Sequence, residues 1–134
     1  MVNVRDLLQG IWPVAVGGMI GTAARASIET ALPVASGWPW PTFLINIGGA
    51  LVLGLLTGLL ARGAAAGLRR LLRLGVGTGI IGGFTTYSTF VMEVDLRLAE
   101  GSATLAMLYA LGSILIGVAA AVVGLVMGRR AVRA

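Results

Sequence analysis

A chain of 134 residues with 57% hydrophobic and only 11% charged residues is too apolar for a water-soluble domain, in which about a quarter of residues are charged. Cysteine and histidine are both absent, which excludes disulfides, thiolate chemistry and imidazole-based catalysis or metal binding. The net charge of +5 comes from ten arginines against five acids with no aromatics interleaved, a pattern that speaks of membrane topology and anionic headgroups, not nucleic acid.

Apolar stretches fall at about 11–33, 41–62, 70–98 and 103–128, each long enough to cross a hydrocarbon core that needs about 20 residues. They predict an all-α membrane protein, one four-helix transmembrane domain over residues 1–134. Arg5 ahead of an apolar run could open a cleaved signal peptide, but three further spans favour a retained first helix. Between the first two spans lies SGWPWP, residues 36–41, where Trp38 and Trp40 suit the headgroup region and the prolines end helices. ARGAAAGLRRLLR forms a basic connection from the second span to the third. The third leads through Asp95, Arg97 and Glu100 to a turn at Gly101-Ser102, and GRRAVRA closes the chain.

Four crossings place both termini and the middle connection on one side. That side holds Arg5, Arg62, Arg69, Arg70, Arg73, Arg129, Arg130 and Arg133, eight arginines, against Arg97 on the other unless Arg25 also reaches it. The positive-inside rule then makes both termini cytoplasmic. The pairs Gly54/Gly58 and Gly124/Gly128, four apart, predict close helix–helix approach. The GxGxG at 75–79 is no phosphate loop, because no strand precedes it and no P-loop lysine exists.

Polar groups are costly within lipid, so their positions carry the functional signal. Arg25 lies well inside the first span with Glu29 four residues on, on the same helical face. It is read equally as a snorkelling, paired arginine or as a functional one. Asn46 in PTFLINIGGA carries two amide donors, and Thr42, four residues earlier, extends it into a polar stripe. GGFTTYSTF, residues 82–90, sits at the centre of a third span longer than a straight crossing requires. Glycine pairs and β-branched threonines weaken a helix, so the third helix is expected to break near Gly82–Thr85. Non-helical backbone at that depth must be satisfied by protein, water or an ion, and freed carbonyls suit a small cation.

Beyond the break, Tyr87 and Phe90 are three apart, with ring edges that carry partial positive charge. Ser88 and Thr89 add hydroxyls, and Thr86, Thr89 and Glu93 line one side. In the fourth span Tyr109 and Ser113 are four apart, and Gly117 continues the line. The inventory is rich in donors, holds one deep basic residue and confines acids to helix ends. A cation pathway would want acidic rings and a proton-coupled carrier a mid-span carboxylate. Donors without acid suggest a small, strongly hydrogen-bonding anion.

GGFTTYSTF after a glycine-rich run, with PTFLIN and GGMIGTAAR upstream, resembles the bacterial fluoride channels known as CrcB or Fluc over the whole chain. The resemblance implies a passive, selective fluoride channel, not an enzyme, that exports cytoplasmic fluoride across the bacterial inner membrane and gives fluoride resistance. It implies an antiparallel (inverted) dimer with two pores and a structural Na⁺ at the dimer centre, held by backbone carbonyls of Gly82 and Thr85. Asn46, Tyr87 and Phe90 match the family's pore asparagine and paired pore rings. Ser88, Thr89 and Glu93 match its polar triad, Tyr109 and Ser113 its polar track, and Arg25 an arginine near the electropositive vestibules. This chain departs from the family in Tyr87, where many members have phenylalanine, and in Gly117, where a hydroxyl often continues the track. Its strong arginine bias is a third departure, since insertion both ways calls for a weak one. The expected partner is therefore itself or an oppositely oriented paralogue. The rival reading, a small four-helix proton-coupled multidrug exporter, needs an embedded glutamate in its first span, where only Glu29 lies, toward the end.

Overall fold

The computed structural model describes residues 4–32, 37–63 and 66–133, all helix and turn with no strand among them. Pro33 at the expected end of the first span, Ser36 of SGWPWP and Ala64–Ala65 of the basic connection lie outside the described residues, as does the Arg5 side chain.

Helix α1 runs Val4–Ala31 and continues through Pro13. Helix α2, Trp40–Leu59, begins at the proline pair, with Pro39 as its N-cap and Pro41 in its first turn, where a missing N–H costs nothing. The third stretch is composite. A short α3, Gly67–Leu71, runs into π-helical turns over Leu72–Ile81, and α4, Gly82–Phe84, adds one more turn. Thr85 then turns extended, with φ −76° and ψ 156°, before α5, Ser88–Ala99. A turn at Gly101, whose φ of 76° suits glycine, leads into α6, Ala103–Ala131. By length and composition α2 and α6 are each apolar enough to cross a membrane, with mean hydropathies of 1.9 and 2.5.

The break falls at Thr85, at the late edge of the expected Gly82–Thr85 window. The glycines before it do not unwind the chain; they let it approach α1. A Cβ at Gly79 would stand 2.9 Å from the Gly17 Cα, and one at Gly83 would meet the Gly18 backbone. A Cβ at Gly17 or Gly21 would collide in turn with the Gly75 or Ile80 carbonyl. Backbone against backbone is how membrane helices gain dispersion energy when lipid offers no hydrophobic drive. The four-spaced glycines of α2 and α6 do the same. A Cβ on Gly54 would strike the Ala121 carbonyl, and one on Gly124 the Leu51 carbonyl.

The radial distribution of residues is inverted relative to a soluble protein. Trp12 (71% exposed), Leu115 and Met19 face outward, whereas Thr42, Thr86, Glu93 and Arg97 are buried beside Phe43, Ile45 and Tyr109. Apolar groups cost nothing against hydrocarbon, and polar ones must find partners inside.

A hydroxyl-lined helix break as candidate functional site

The break is held by one side chain from α2. Asn46 Nδ2 donates to the Thr86 carbonyl at 2.9 Å, and the Thr86 N–H donates to Asn46 Oδ1 at 2.9 Å. A carboxamide matches a peptide group in this paired way because it carries donor and acceptor side by side. Thr85 Oγ1 donates back to the Ile81 carbonyl at 3.0 Å, closing the end of α4. Thr86 Oγ1 accepts the Thr89 N–H at 3.1 Å and so caps the start of α5. It also donates to Thr89 Oγ1 at 3.0 Å and lies 3.4 Å from Ser88 Oγ.

The α1 side of the break is tied by Arg25. Its Nε donates to the Gly83 carbonyl at 3.4 Å, as does Thr22 Oγ1, while Nη1 reaches both Glu29 oxygens at 3.1–3.2 Å. Arg25 is thus ion-paired on its own helix, as the paired reading expects, and also bonded to the broken one. Thr22 was not singled out from the sequence, although it stands three residues before Arg25 on the same face.

Deeper along α5, Glu93 is 6% exposed and both of its oxygens are taken. Thr42 Oγ1 donates to Oε1 at 2.8 Å and Tyr109 O–H to Oε2 at 2.7 Å. Thr42, read from sequence as a stripe with Asn46, thus turns to Glu93, and Tyr109 donates a hydrogen bond to the same carboxylate. The Tyr109 ring is boxed by Phe90, with centroids 5.3 Å apart, and by Trp38 edge-on at 5.5 Å. Trp38 is a residue that sequence reasoning left at the headgroups. Tyr87 and Phe90 are 6.4 Å apart and tilted by 41°, but Tyr87 is 79% exposed while Phe90 is half-buried.

Two cavities flank this cluster. One of about 400 Å³ is lined by Asn46, Thr85, Thr86, Tyr87, Phe90 and Ser113, together with Gly82. Ser113 Oγ is buried there without a hydrogen-bond partner. The other, of about 860 Å³, is lined by Thr42, Thr89, Glu93 and Arg97. The Thr86–Thr89 hydroxyl bond joins the wall of one to the wall of the other. Of the expected site residues, Ser88 is exposed beside Thr86, and Gly82 and Thr85 share the smaller cavity. Gly117 lies farther along α6, where an added Cβ would meet only Ile47 Cδ1, at 3.6 Å. Among the described residues no group of three or more acidic, histidine or cysteine residues could hold a metal.

An apolar exterior, two long apolar helices and a polar, hydroxyl-lined break inside define a helical membrane protein. The chain belongs to the family described as CrcB-like protein, Camphor Resistance (CrcB), which matches residues 12–125. It is 44% identical over 127 residues, covering 92% of this chain and 98% of the relative, to the "Fluoride-specific ion channel FluC" of Hyphomonas neptunium. It is 46% identical over 114 residues, 84% of this chain and 79% of the relative, to "Fluoride-specific ion channel FluC 2" of Leifsonia xyli subsp. xyli. "Fluoride-specific ion channel FluC 1" of Cutibacterium acnes is 42% identical over 133 residues, 94% of this chain and 92% of the relative.

Proposed function

We propose that this chain is a passive fluoride-selective channel that lets cytoplasmic fluoride leave a bacterial cell down its gradient. It is not an enzyme. The supporting observation is the coincidence of family membership with an interior that offers hydroxyl and amide donors and no uncompensated acid. Glu93, the one deep carboxylate, has both oxygens engaged by hydroxyl donors, and Ser113 Oγ is left as an unpartnered donor beside the smaller cavity. A small anion that has lost its water needs such preplaced donors, with ring edges filling the remaining directions.

In this reading fluoride passes Asn46, Tyr87, Ser88, Thr89, Phe90 and Ser113, with Tyr109 and Glu93 shaping the path and Arg25 setting the local field. The residues 1–134 act as one four-helix unit, spanning the inner membrane with both termini cytoplasmic. The unit works as an antiparallel dimer with itself or with an oppositely inserted paralogue. A structural Na⁺ would be held at the break by backbone carbonyls of Gly82 and Thr85, which line one cavity; carbonyl oxygens suit a hard monovalent cation. Such an ion would hold the two breaks of a dimer together and leave the side chains to conduct. The exporter alternative lacks its embedded glutamate, since Glu29 is locked to Arg25.

The test is fluoride efflux from liposomes holding the purified protein, alone and with a paralogue. Selective electrogenic efflux in either case is the expected result; a folded protein that passes no fluoride in both overturns the reading.

A further inference from the structure

Four residues past Gly58 in α2 stands Arg62, and directly past Gly128 in α6 stands Arg129, with Arg133 four further on. The two glycines meet at the helix crossing, where a Cβ on either would lie 2.9 Å from the Cα of the other. That close approach carries the three arginines to one rim. Between them lies a pocket of about 230 Å³, lined by Gly58, Ala61, Arg62, Arg129, Val132 and Arg133. Arg62 Nη1 donates to the Val132 carbonyl at 3.4 Å, tying the stretch after α2 to the end of α6 across it.

The neighbouring arginines have other work. Arg73 bonds the Leu60 carbonyl at 2.5 Å and Arg69 the Arg62 carbonyl, satisfying the exposed end of α2. The side chains of Arg129 and Arg133 make no hydrogen bond or ion pair among the described residues, and no acid lines their pocket. Like charges held together at the end of two apolar helices call for a counter-charge. Arg129 also borders a second cavity of about 580 Å³, whose wall includes Leu53, Leu56 and Leu60 together with Thr57, Thr78 and Arg73. A cationic pocket thus opens beside a cavity with a leucine wall at the arginine-rich end of the helices.

We propose that the pocket of Arg62, Arg129 and Arg133 binds a phosphate group. Planar guanidiniums recognise phosphate oxygens in pairs, and the volume suits one such headgroup. The adjoining leucine-lined cavity makes an anionic phospholipid its natural carrier, with the acyl chain along Leu53, Leu56 and Leu60. Free inorganic phosphate has the same chemistry and is the other source.

The experiment is native mass spectrometry of the purified protein, delipidated and then exposed to phosphatidylglycerol, phosphatidylcholine or inorganic phosphate. Retained phosphatidylglycerol in preference to phosphatidylcholine, resistant to millimolar inorganic phosphate, assigns the lipid. An adduct of phosphate alone, competing with the lipid, assigns the free ion. In either case Arg129→Gln/Arg133→Gln should lower retention by roughly tenfold or more. Arg130→Gln, which removes a charge from the same turn but not from the pocket, should leave it unchanged. Equal loss in the Arg130→Gln protein means diffuse surface charge and overturns the site. So does undiminished retention in the double variant when circular dichroism shows it folded.

Discussion

Asn46 and Thr86 are joined by two hydrogen bonds of 2.9 Å each, side-chain amide to backbone peptide group, across the point where the third helix breaks. The pairing satisfies the Thr86 N–H and carbonyl, which have left the helix where Thr85 turns extended, and so lets an irregular backbone exist at membrane depth. It also means that Asn46 is structural before it is anything else. One of its two N–H groups is committed to Thr86, leaving a single donor for an ion.

Asn46→Asp should therefore abolish fluoride efflux. A carboxylate would set an oxygen against the Thr86 carbonyl where Nδ2 now donates, and would repel an anion at the cavity wall. Loss of one donated bond and burial of an unmatched acceptor costs about 1–3 kcal/mol. Liposome efflux followed with a fluoride electrode checks the first effect and thermal unfolding in detergent the second.

The two hydroxyls on Glu93 should prove coupled. Tyr109→Phe and Thr42→Val each strip one donor from a carboxylate that is 6% exposed, and each should destabilise by about 1–3 kcal/mol. Removing both leaves the carboxylate with neither partner, so a double-mutant cycle should show an interaction energy above about 0.5 kcal/mol. Additive losses would mean that water replaces either hydroxyl.

Tyr87→Phe should conduct within about twofold of the parent, as expected for an exposed substitution that keeps its packing. The Tyr87 ring is 79% exposed, and its ring contact is with Phe90, which a phenylalanine would preserve. The measurement is initial efflux rate at several fluoride concentrations; a large loss would make the hydroxyl a donor to the ion.

Glycine substitutions should divide by position. Gly58→Ala drives a methyl into the Leu125 carbonyl and should destabilise by about 1–3 kcal/mol. Gly18→Ala meets nothing within 4 Å and should stabilise by about 0.5–1 kcal/mol through lower backbone entropy. Unfolding of the two variants side by side checks the contrast.

Arg130→Cys should be labelled by impermeant reagents only from the cytoplasmic side of native membranes if the eight arginines on that side set the topology, as the positive-inside rule expects. Equal labelling from both sides would establish dual insertion of this single sequence.

Much of this could be read from residues alone, for definable reasons. Apolar runs near 20 residues, glycines four apart and arginines at one end act locally, through hydropathy, helical period and charge, so helices, close approach and bias were legible. GGFTTYSTF was legible as a break for the same reason. Its exact place was not, because the glycines that weaken an isolated helix are held helical by α1 packed against them.

The tertiary structure alone decided the partners. Thr42 could have bonded anything in reach, and only the approach of α2 to α5 and α6 turns it to Glu93, 51 residues away. Nothing local brings Trp38 edge-on to Tyr109, Thr22 to the Gly83 carbonyl, or Arg62 to the pocket it shares with Arg129. Side chains in the sequence determine which groups must be satisfied within lipid. The packing of backbones, set by where glycine lets them touch, determines by whom.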